Sequence, residues 1–202
     1  MVNAQVVFDL SSTGVLTVTL TNQTASEVSD GQAVTGLKFT LAGLNGSASL
    51  STQSGDEITF NGSAVTDLGV QSLTHWTAGT SLQTVTLTTI GGGQPINSIL
   101  GPASSDGRYD SGNGSISSAK NPWVEGSATF VLNTLPGFGS LLNATTLTNV
   151  AIGFGTNGTN YISTAAGSFS SQTVSPTPEP STFLLGAGLI LGAAARRLLR
   201  RG

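Results

Sequence analysis

The sequence predicts an all-β protein, an antiparallel β-sandwich of Greek-key or jelly-roll type, followed by a Pro-rich linker and one C-terminal transmembrane helix. Three observations lead to this prediction. Apolar residues alternate with polar ones through most of the chain, which is typical of half-buried strands. Asn-Gly and Gly-rich turn signals separate the alternating segments. Near the end of the chain, an uncharged apolar run follows a cluster of prolines.

Strands are predicted where every second residue is apolar. In each such segment Val, Leu, Ile or Phe lies on one face, and Thr, Lys or small residues lie on the other. Threonine is frequent because its β-branch fits a pleated surface while its hydroxyl faces water. No segment of the body shows a sustained period of 3.6 residues, so no helix is predicted there. The predicted strands cover residues 6–10, 14–21, 37–41, 82–90, 128–132 and 150–154.

Turn signals lie between the predicted strands. Asn-Gly supplies the positive φ angles that tight hairpins require. Many short strands joined by such turns favour a sandwich over a barrel, and the lack of a fixed-period repeat disfavours a solenoid. The signals are Asn45-Gly46, Asn61-Gly62, Gly91-Gly92-Gly93, Asn113-Gly114 and Asn157-Gly158.

Composition excludes several classes of function. The 202 residues include only seven Lys or Arg and ten Asp or Glu, for a net charge of −3. A nucleic-acid binder needs clustered basic residues, so we expect no nucleic-acid partner. With no Cys and one His, the chain offers no thiolate zinc site, iron–sulfur cluster, disulfide framework or His-rich metal site.

The charge is divided unevenly along the chain. Residues 1–175 hold nine acidic and three basic side chains, a sum of −6, whereas residues 176–202 hold one acid and four arginines, a sum of +3. A shift of this kind marks a module boundary. We therefore divide the chain into a β-sandwich ectodomain at 1–174, a Pro-rich linker at 175–181, and a membrane anchor with an Arg-rich tip at 182–202.

The C-terminal region has the features of a membrane anchor. Prolines at 176, 178 and 180 remove backbone donors and fix φ, so the linker is neither helix nor inner strand. The apolar run 180–195 is shorter than the ~20 residues of a usual span, but the arginines that follow it can snorkel. These arginines are expected on the cytoplasmic side, with the acidic body outside. An amphipathic surface helix or a buried core helix is the alternative interpretation.

The order of these features resembles a known sorting signal. The motif Thr-Pro-Glu-Pro-Ser-Thr at 177–182, a Gly-interrupted apolar helix and an arginine cluster together resemble the PEP-CTERM signal. The resemblance covers roughly residues 176–202. It implies that a sorting enzyme recognises Pro178, Glu179 and Pro180, and that a stop-transfer cluster is formed by Arg196, Arg197, Arg200 and Arg201. These residues would be substrate features and not catalytic ones.

The resemblance also implies a route and a partner. Proteins with this signal are exported across the inner membrane of bacteria of Gram-negative type and are anchored there transiently. An exosortase, a membrane-embedded enzyme, is thought to remove the tail, which leaves the body at the cell surface or outside the cell. Such proteins often accompany exopolysaccharide and biofilm production, so exopolysaccharide is a further expected partner.

Export also requires an N-terminal signal with a charged start and an apolar run. Here the first residues lead directly into a strand pattern, and Asn3-Ala4-Gln5 is similar to the region around a signal-peptidase cut. We therefore expect the natural start to lie upstream of Met1. An upstream coding sequence without any hydrophobic segment would contradict this expectation.

The segment 106–125 is the candidate ligand loop of the body. It holds five of the twelve charged residues of the body, together with two aromatic residues. The oxygen-rich turn allows calcium as a ligand, although its spacing is not that of an EF-hand, and no other cofactor or metal is expected. A sugar could instead stack on an aromatic ring, while a long solvated hairpin whose aromatic residues cap the core is the third and favoured interpretation. The candidate residues are Asp106, Arg108, Tyr109, Asp110 and Trp123.

Catalysis is not expected from this sequence. His75 could pair with one of many serines, but no Gly-x-Ser-x-Gly elbow is present. Asp56 and Glu57 are adjacent, so on a strand their side chains point to opposite faces. The favoured function is a non-enzymatic surface or matrix protein. The alternatives are a carbohydrate-binding module that uses exposed Tyr109, Trp123 or Trp76, and a secreted hydrolase.

Overall fold

Eleven strands and two short 3-10 helices form the described part of the chain in a computed structural model. The structure describes residues 2–11, 13–25, 27, 29–91, 94–105, 107–109, 114–133, 147–157 and 160–163. All of them belong to one unit, Met1–Ser171. The prediction of an all-β fold is therefore confirmed for the body. The predicted linker and transmembrane helix, 175–202, lie outside the described residues.

The strands are numbered in chain order. They are β1 (Ala4–Leu10), β2 (Leu16–Asn22), β3 (Val34–Leu41), β4 (Ser49–Asn61), β5 (Ala64–Ser72), β6 (Thr77–Ser81), β7 (Thr84–Thr88), β8 (Ile99–Leu100), β9 (Trp123–Asn133), β10 (Leu147–Phe154) and β11 (Tyr161–Ser163). The 3-10 helices are Asp30–Gln32 and Ser118–Lys120. Each of the six predicted segments contains one of these strands or lies mainly on one, whereas β4, β5, β6, β8 and β11 were not predicted.

Hydrogen bonding arranges the strands in two groups of five. The first group has the order β1–β2–β9–β4–β5, and the second has the order β6–β7–β3–β10–β11. Every neighbouring pair within a group is antiparallel. The short strand β8 links the groups, because it pairs parallel with β9 and antiparallel with β3. The β8–β9 pair is the one parallel pair among the described strands.

One hydrophobic core is shared by both groups. The apolar residues of the alternating strands point inward, so Val18 of β2 and Leu37 of β3 are both fully buried in it. Phe8 of β1 meets Phe39 of β3 edge to face, with ring centroids 4.9 Å apart. Trp76 likewise contacts Phe130 of β9, with ring centroids 4.8 Å apart. Side chains of the two groups therefore pack against each other.

A second, smaller apolar cluster lies beneath the segment between β8 and β9. Two partly buried polar contacts fix that segment. Asn121 exchanges side-chain hydrogen bonds with the backbone N–H and C=O of Phe60, at 2.9 and 2.8 Å, and Lys120 forms an ion pair with Asp30. The side-chain amide of Asn121 thus satisfies both backbone hydrogen-bonding groups of Phe60, as a neighbouring strand would. The cluster consists of Ala33, Ile58, Phe60, Leu100, Ile116 and Trp123.

Strand β5 differs from the inner strands because most of its side chains on both faces are exposed. Among the described residues it pairs only with β4, so it is an edge strand. The β4–β5 turn confirms the Asn61-Gly62 signal, since Asn61 pairs with Ala64 and Gly62 has a φ of 61°. A β-bulge interrupts the pairing, where Gly69 with a φ of 69° faces Glu57 and Leu68 has no partner across the ladder.

We expect Phe39→Ala to lower the free energy of unfolding by about 3–5 kcal/mol, because it leaves a cavity where both strand groups meet. Urea denaturation of the full chain measures the change. The control is Val7→Ala on β1, whose side chain is 43% exposed and should cost less than about 1 kcal/mol. Equal losses for the two variants would contradict the shared core.

Candidate functional site

The candidate ligand loop supplies a core residue as well as surface residues. Trp123 is 0% exposed, and its ring N–H donates to the carbonyl of Ser117 at 3.1 Å. Trp76 is also buried, at 2% exposure. Neither indole can therefore stack on a sugar from solvent. Arg108 is exposed and Tyr109 is half-buried, whereas Asp106 and Asp110 lie outside the described residues.

Tyr109 anchors the loop to the body. Its hydroxyl lies 2.9 Å from Oε1 of Glu125 and 3.1 Å from the carbonyl of Gly101, so it donates to these acceptors. Its ring meets Phe60 edge to face at 5.6 Å. Burial, followed by the negative charge of Glu125, raises the pKa of Tyr109 far above its usual range. The phenol therefore stays protonated and acts as a permanent donor.

Three carboxylates lie side by side next to this tyrosine, on adjacent strands. Asp56 of β4 is directly opposite Glu125 of β9 in the ladder, and Asp67 of β5 is hydrogen-bonded to Asp56. Burial is the largest cause that raises the pKa of Asp56, and the charges of Asp67 and Glu125 add to it. We call Asp56, Asp67 and Glu125 the acidic row. Among the described residues, no group of three His, Cys, Asp or Glu is arranged to hold a metal ion.

Glu27 is a fully buried carboxyl whose charge also raises the pKa of Tyr109. Its Oε1 accepts a hydrogen bond from Nδ2 of Asn22 at 2.5 Å, while its Oε2 has no hydrogen-bond partner among the described residues. Burial raises the pKa of Glu27 to about 7, against the opposing effects of Asn22 and the backbone N–H of Gly101. Near neutral pH the Glu27 carboxyl is therefore present in both its protonated and its charged form.

The single histidine lies at the exposed end of a polar chain. His75 Nδ1 is 3.1 Å from Oδ1 of Asn97, and Nδ2 of Asn97 donates to Oε1 of Glu57 at 2.7 Å. Because the amide nitrogen of Asn97 faces the carboxylate, its oxygen faces the ring, and Nδ1 carries the proton. The hydroxyl of Thr74 is 3.1 Å from the same nitrogen. In the described part of the chain His75 hydrogen-bonds to no serine or acid, so the arrangement that a serine hydrolase requires is not formed there.

Asn97 itself is a structural hub. It is fully buried and has a left-handed φ of 60°. Its N–H donates to the carbonyl of Pro122 at 2.8 Å, and its carbonyl accepts from the ring N–H of Trp76 at 2.8 Å. Both backbone groups and both ends of the side chain are thus bonded, which ties the segments around Trp76 and Pro122 together.

An open groove lies on the outer side of the second strand group. It has a volume of about 640 Å³ and lies between the β3–β4 loop, the β6–β7 turn and the bulge in β10. Its lining residues are Thr40, Leu44, Asn45, Gly46, Leu82, Gln83, Thr84 and Asn149. We call this surface the outer groove.

Sequence reasoning proposed the candidate ligand loop and considered the histidine, but it did not single out the buried polar residues Asn22, Glu27 and Asn97. No local pattern marks them, because each is a common polar residue, and Asn22 and Asn97 also bond to residues far away in the chain. The outer groove was missed as well, although Asn45-Gly46 was identified as a turn. Leu82 was included in the predicted strand 82–90, but the structure places it in the turn between β6 and β7, at the outer groove.

The comparisons with known proteins found no relative: no family model, no curated protein and no solved structure matches this chain. The sorting motif Pro178, Glu179 and Pro180 and the four terminal arginines lie outside the described residues. Within the described residues, no helix is both long and apolar enough to span a membrane.

Glu27 makes stability depend on pH. Its pKa is about 7 in the folded state and near the ordinary 4.5 when unfolded, so the folded state holds the proton more tightly. The stabilisation is complete below pH 4.5 and is lost as pH rises through about 7, by up to about 3 kcal/mol. The raised pKa of Asp56 acts in the same direction.

The variant Glu27→Gln isolates this contribution, because glutamine mimics the protonated side chain and keeps the acceptor for Asn22. Urea unfolding at pH 5 and pH 8 should give a smaller loss of stability for the variant than for the wild type. At pH 5 the two proteins should be similar. If Glu27→Gln lost as much unfolding free energy between pH 5 and pH 8 as wild type does, the titration of buried Glu27 would be contradicted.

We expect Asn97→Ala to destabilise the protein by about 2–4 kcal/mol, since it removes two side-chain hydrogen bonds and places alanine at a positive φ. Asn97→Gly loses the same bonds without the backbone strain and should cost about 1 kcal/mol less. His75→Ala, at the exposed end of the chain of contacts, is the control and should cost less than about 1 kcal/mol. Thermal unfolding measures the loss of stability for each variant. Equal losses for all three would contradict the structural role of Asn97.

Proposed function

We propose that this protein is an exported, non-enzymatic component of the cell surface or extracellular matrix, with a β-sandwich body that is sorted by its C-terminal tail. The observation that carries the proposal is the order of features within residues 176–202. Pro178, Glu179 and Pro180 precede an uncharged apolar run, and a cluster of arginines follows it. Each feature is weak alone, whereas the ordered series is specific.

The arrangement of the strands supports the sandwich interpretation. The two groups of five strands each present an inward apolar face, and Phe8 and Phe39 meet between them at 4.9 Å. Two sheets that share a core between their inner faces are the defining feature of a β-sandwich. The short link through β8 is compatible with a sandwich whose two sheets join at one end.

The surface chemistry of the body supports a role outside the cell. Charged residues are 8% of the chain, and Ser and Thr together contribute 54 residues, so the outward faces of the strands carry mainly hydroxyls. Such a surface is hydrated without strong electrostatic attraction to nucleic acid or to acidic partners. It suits a component of a polysaccharide-rich matrix.

In the proposed route, the arginine cluster Arg196, Arg197, Arg200 and Arg201 holds the tail at the cytoplasmic face during export. An exosortase-type enzyme in the inner membrane then recognises Pro178-Glu179-Pro180 and removes the anchor. The body is released or attached at the surface, near exopolysaccharide. The acidic character of residues 1–175 agrees with this orientation, because the positive charge concentrates on the retained side.

The test is the mass and location of the mature protein in its host, with and without Glu179→Ala. Wild type should lose the region after the motif and reach the surface or medium, because the motif directs the processing. Glu179→Ala should stay full-length in the inner membrane. Asp9→Ala removes an exposed acid of the body and is the matched control, which should be processed as wild type. If wild type also remains intact and membrane-bound, the sorting proposal fails.

A further inference from the structure

The polar part of the outer groove consists of neutral hydrogen-bonding groups, and the rest of its lining surface is apolar. The hydroxyls of Thr40 and Thr84, which are paired across β3 and β7, lie 3.2 Å apart, and Nδ2 of Asn149 is 3.4 Å from the hydroxyl of Thr40. The side chains of Asn45 and Gln83 are exposed at the rim. None of the eight lining residues is ionisable. The groove therefore offers amides and hydroxyls, which both donate and accept, but no countercharge.

Its position is fixed by the fold and does not depend on loose loops. The backbone N–H of Leu41 donates to the carbonyl of Gln83 at 2.9 Å, which ties the β6–β7 turn to the end of β3. Leu44 is buried in the core at 3% exposure and holds the β3–β4 loop. Where such contacts hold the lining in place before a ligand arrives, binding costs little conformational entropy.

Leu82 is the unexpected residue of this surface. It is 93% exposed and has a φ of 55°, in the left-handed region that disfavours leucine. A hairpin turn at this position is normally occupied by Asn or Gly. The protein therefore accepts both backbone strain and an exposed apolar side chain beside the groove, and such outliers concentrate where ligands bind. Asn149, on the other side, also has a left-handed φ, of 53°.

We propose that the outer groove binds a neutral polysaccharide, with the amides and threonine hydroxyls contacting sugar hydroxyls and Leu82 contacting a C–H face of a sugar ring. A sugar presents vicinal hydroxyls that both donate and accept, which matches side-chain amides. The volume of about 640 Å³ lies in the range of ligand sites, about 300–1,000 Å³. An anionic polymer would find no basic side chain in the lining.

This proposal rests on the proposed function and deepens it by naming the chemical class of the matrix partner. The sequence analysis considered sugar stacking on Trp76 or Trp123, but both are buried, so the proposed binding surface is the outer groove instead. Lys38, two residues before Thr40 on the same strand face, holds its ammonium 4.0 Å from the ring centroid of Tyr161. Lys38 keeps its positive charge in this contact, but it is not one of the eight residues that line the groove.

The experiment is affinity gel electrophoresis of the purified full chain in gels that contain dextran, galactomannan or xyloglucan, with alginate as the anionic comparison. At least one neutral polymer should retard wild type, and alginate should not. Leu82→Asn should weaken retardation about tenfold in apparent dissociation constant, because it removes the apolar contact. Its melting temperature should be unchanged or higher, because Asn tolerates the left-handed turn.

Val70→Asn is the matched control, since it removes an apolar side chain that is 74% exposed on β5, outside the groove lining. It should bind as wild type. Asn149→Asp places a charge in the neutral groove and should also weaken binding. The proposal is overturned if no neutral polymer retards the protein, if only alginate does, or if Leu82→Asn and Val70→Asn bind equally well. Self-association through Leu82 without any glycan would also overturn it.

The glycan assay and the sorting assay test the two proposals separately, so that either proposal can be refuted without the other. Glu179→Ala changes only the tail and should bind the polymer as wild type does, even if it is not processed. Loss of glycan binding by Leu82→Asn should leave processing in the host intact. A protein that is processed but never binds glycan refutes the groove alone, and one that binds glycan but is never processed refutes the sorting alone.

Discussion

The contact on which the rest of the fold depends is the side chain of Asn22, at the end of β2. Its Nδ2 lies within hydrogen-bond distance of Glu27, of the carbonyl of Gln32 and of the carbonyl of Ile99 in β8. Strand β8 has only two residues, so its own ladder bonds to β3 and β9 are few. The buried amide of Asn22 supplements them at the place where the two strand groups are linked, and unpaired acceptors there would be costly.

The sequence could predict the strands that face the core, but not those that do not. Alternation identified β2 and β3 because one face of each is buried throughout. Strand β5 was missed because its two faces are nearly equally exposed, so burial imposes no period on it. The contact of Asn97 with Glu57 joins residues 40 positions apart, and local patterns do not contain such contacts. Trp123 was a candidate for ligand contact because an aromatic residue near charges is equally suited to a core and to a surface.

The body and the tail divide the proposed function between them. In the proposal, the tail supplies the address through the order of a short motif, an apolar run and positive charge. The proposal assigns contact with the surroundings to the body, through outward side chains that are mostly small and neutral. The acidic row is set apart from the outer groove, because it lies on β5, β4 and β9 whereas the groove lies on β3, β7 and β10.

The bulge in β5 affects how readily another strand can add to this exposed edge of the sheet. A straight edge strand exposes a continuous row of unpaired backbone groups, and many identical molecules packed on one surface could add to it strand by strand. Here Gly69 and the unpartnered Leu68 break the row midway, although Val70 beyond them is strongly exposed. A further strand can therefore align with only part of this edge at a time, which makes β5 a poorer template for edge-to-edge addition than a straight strand.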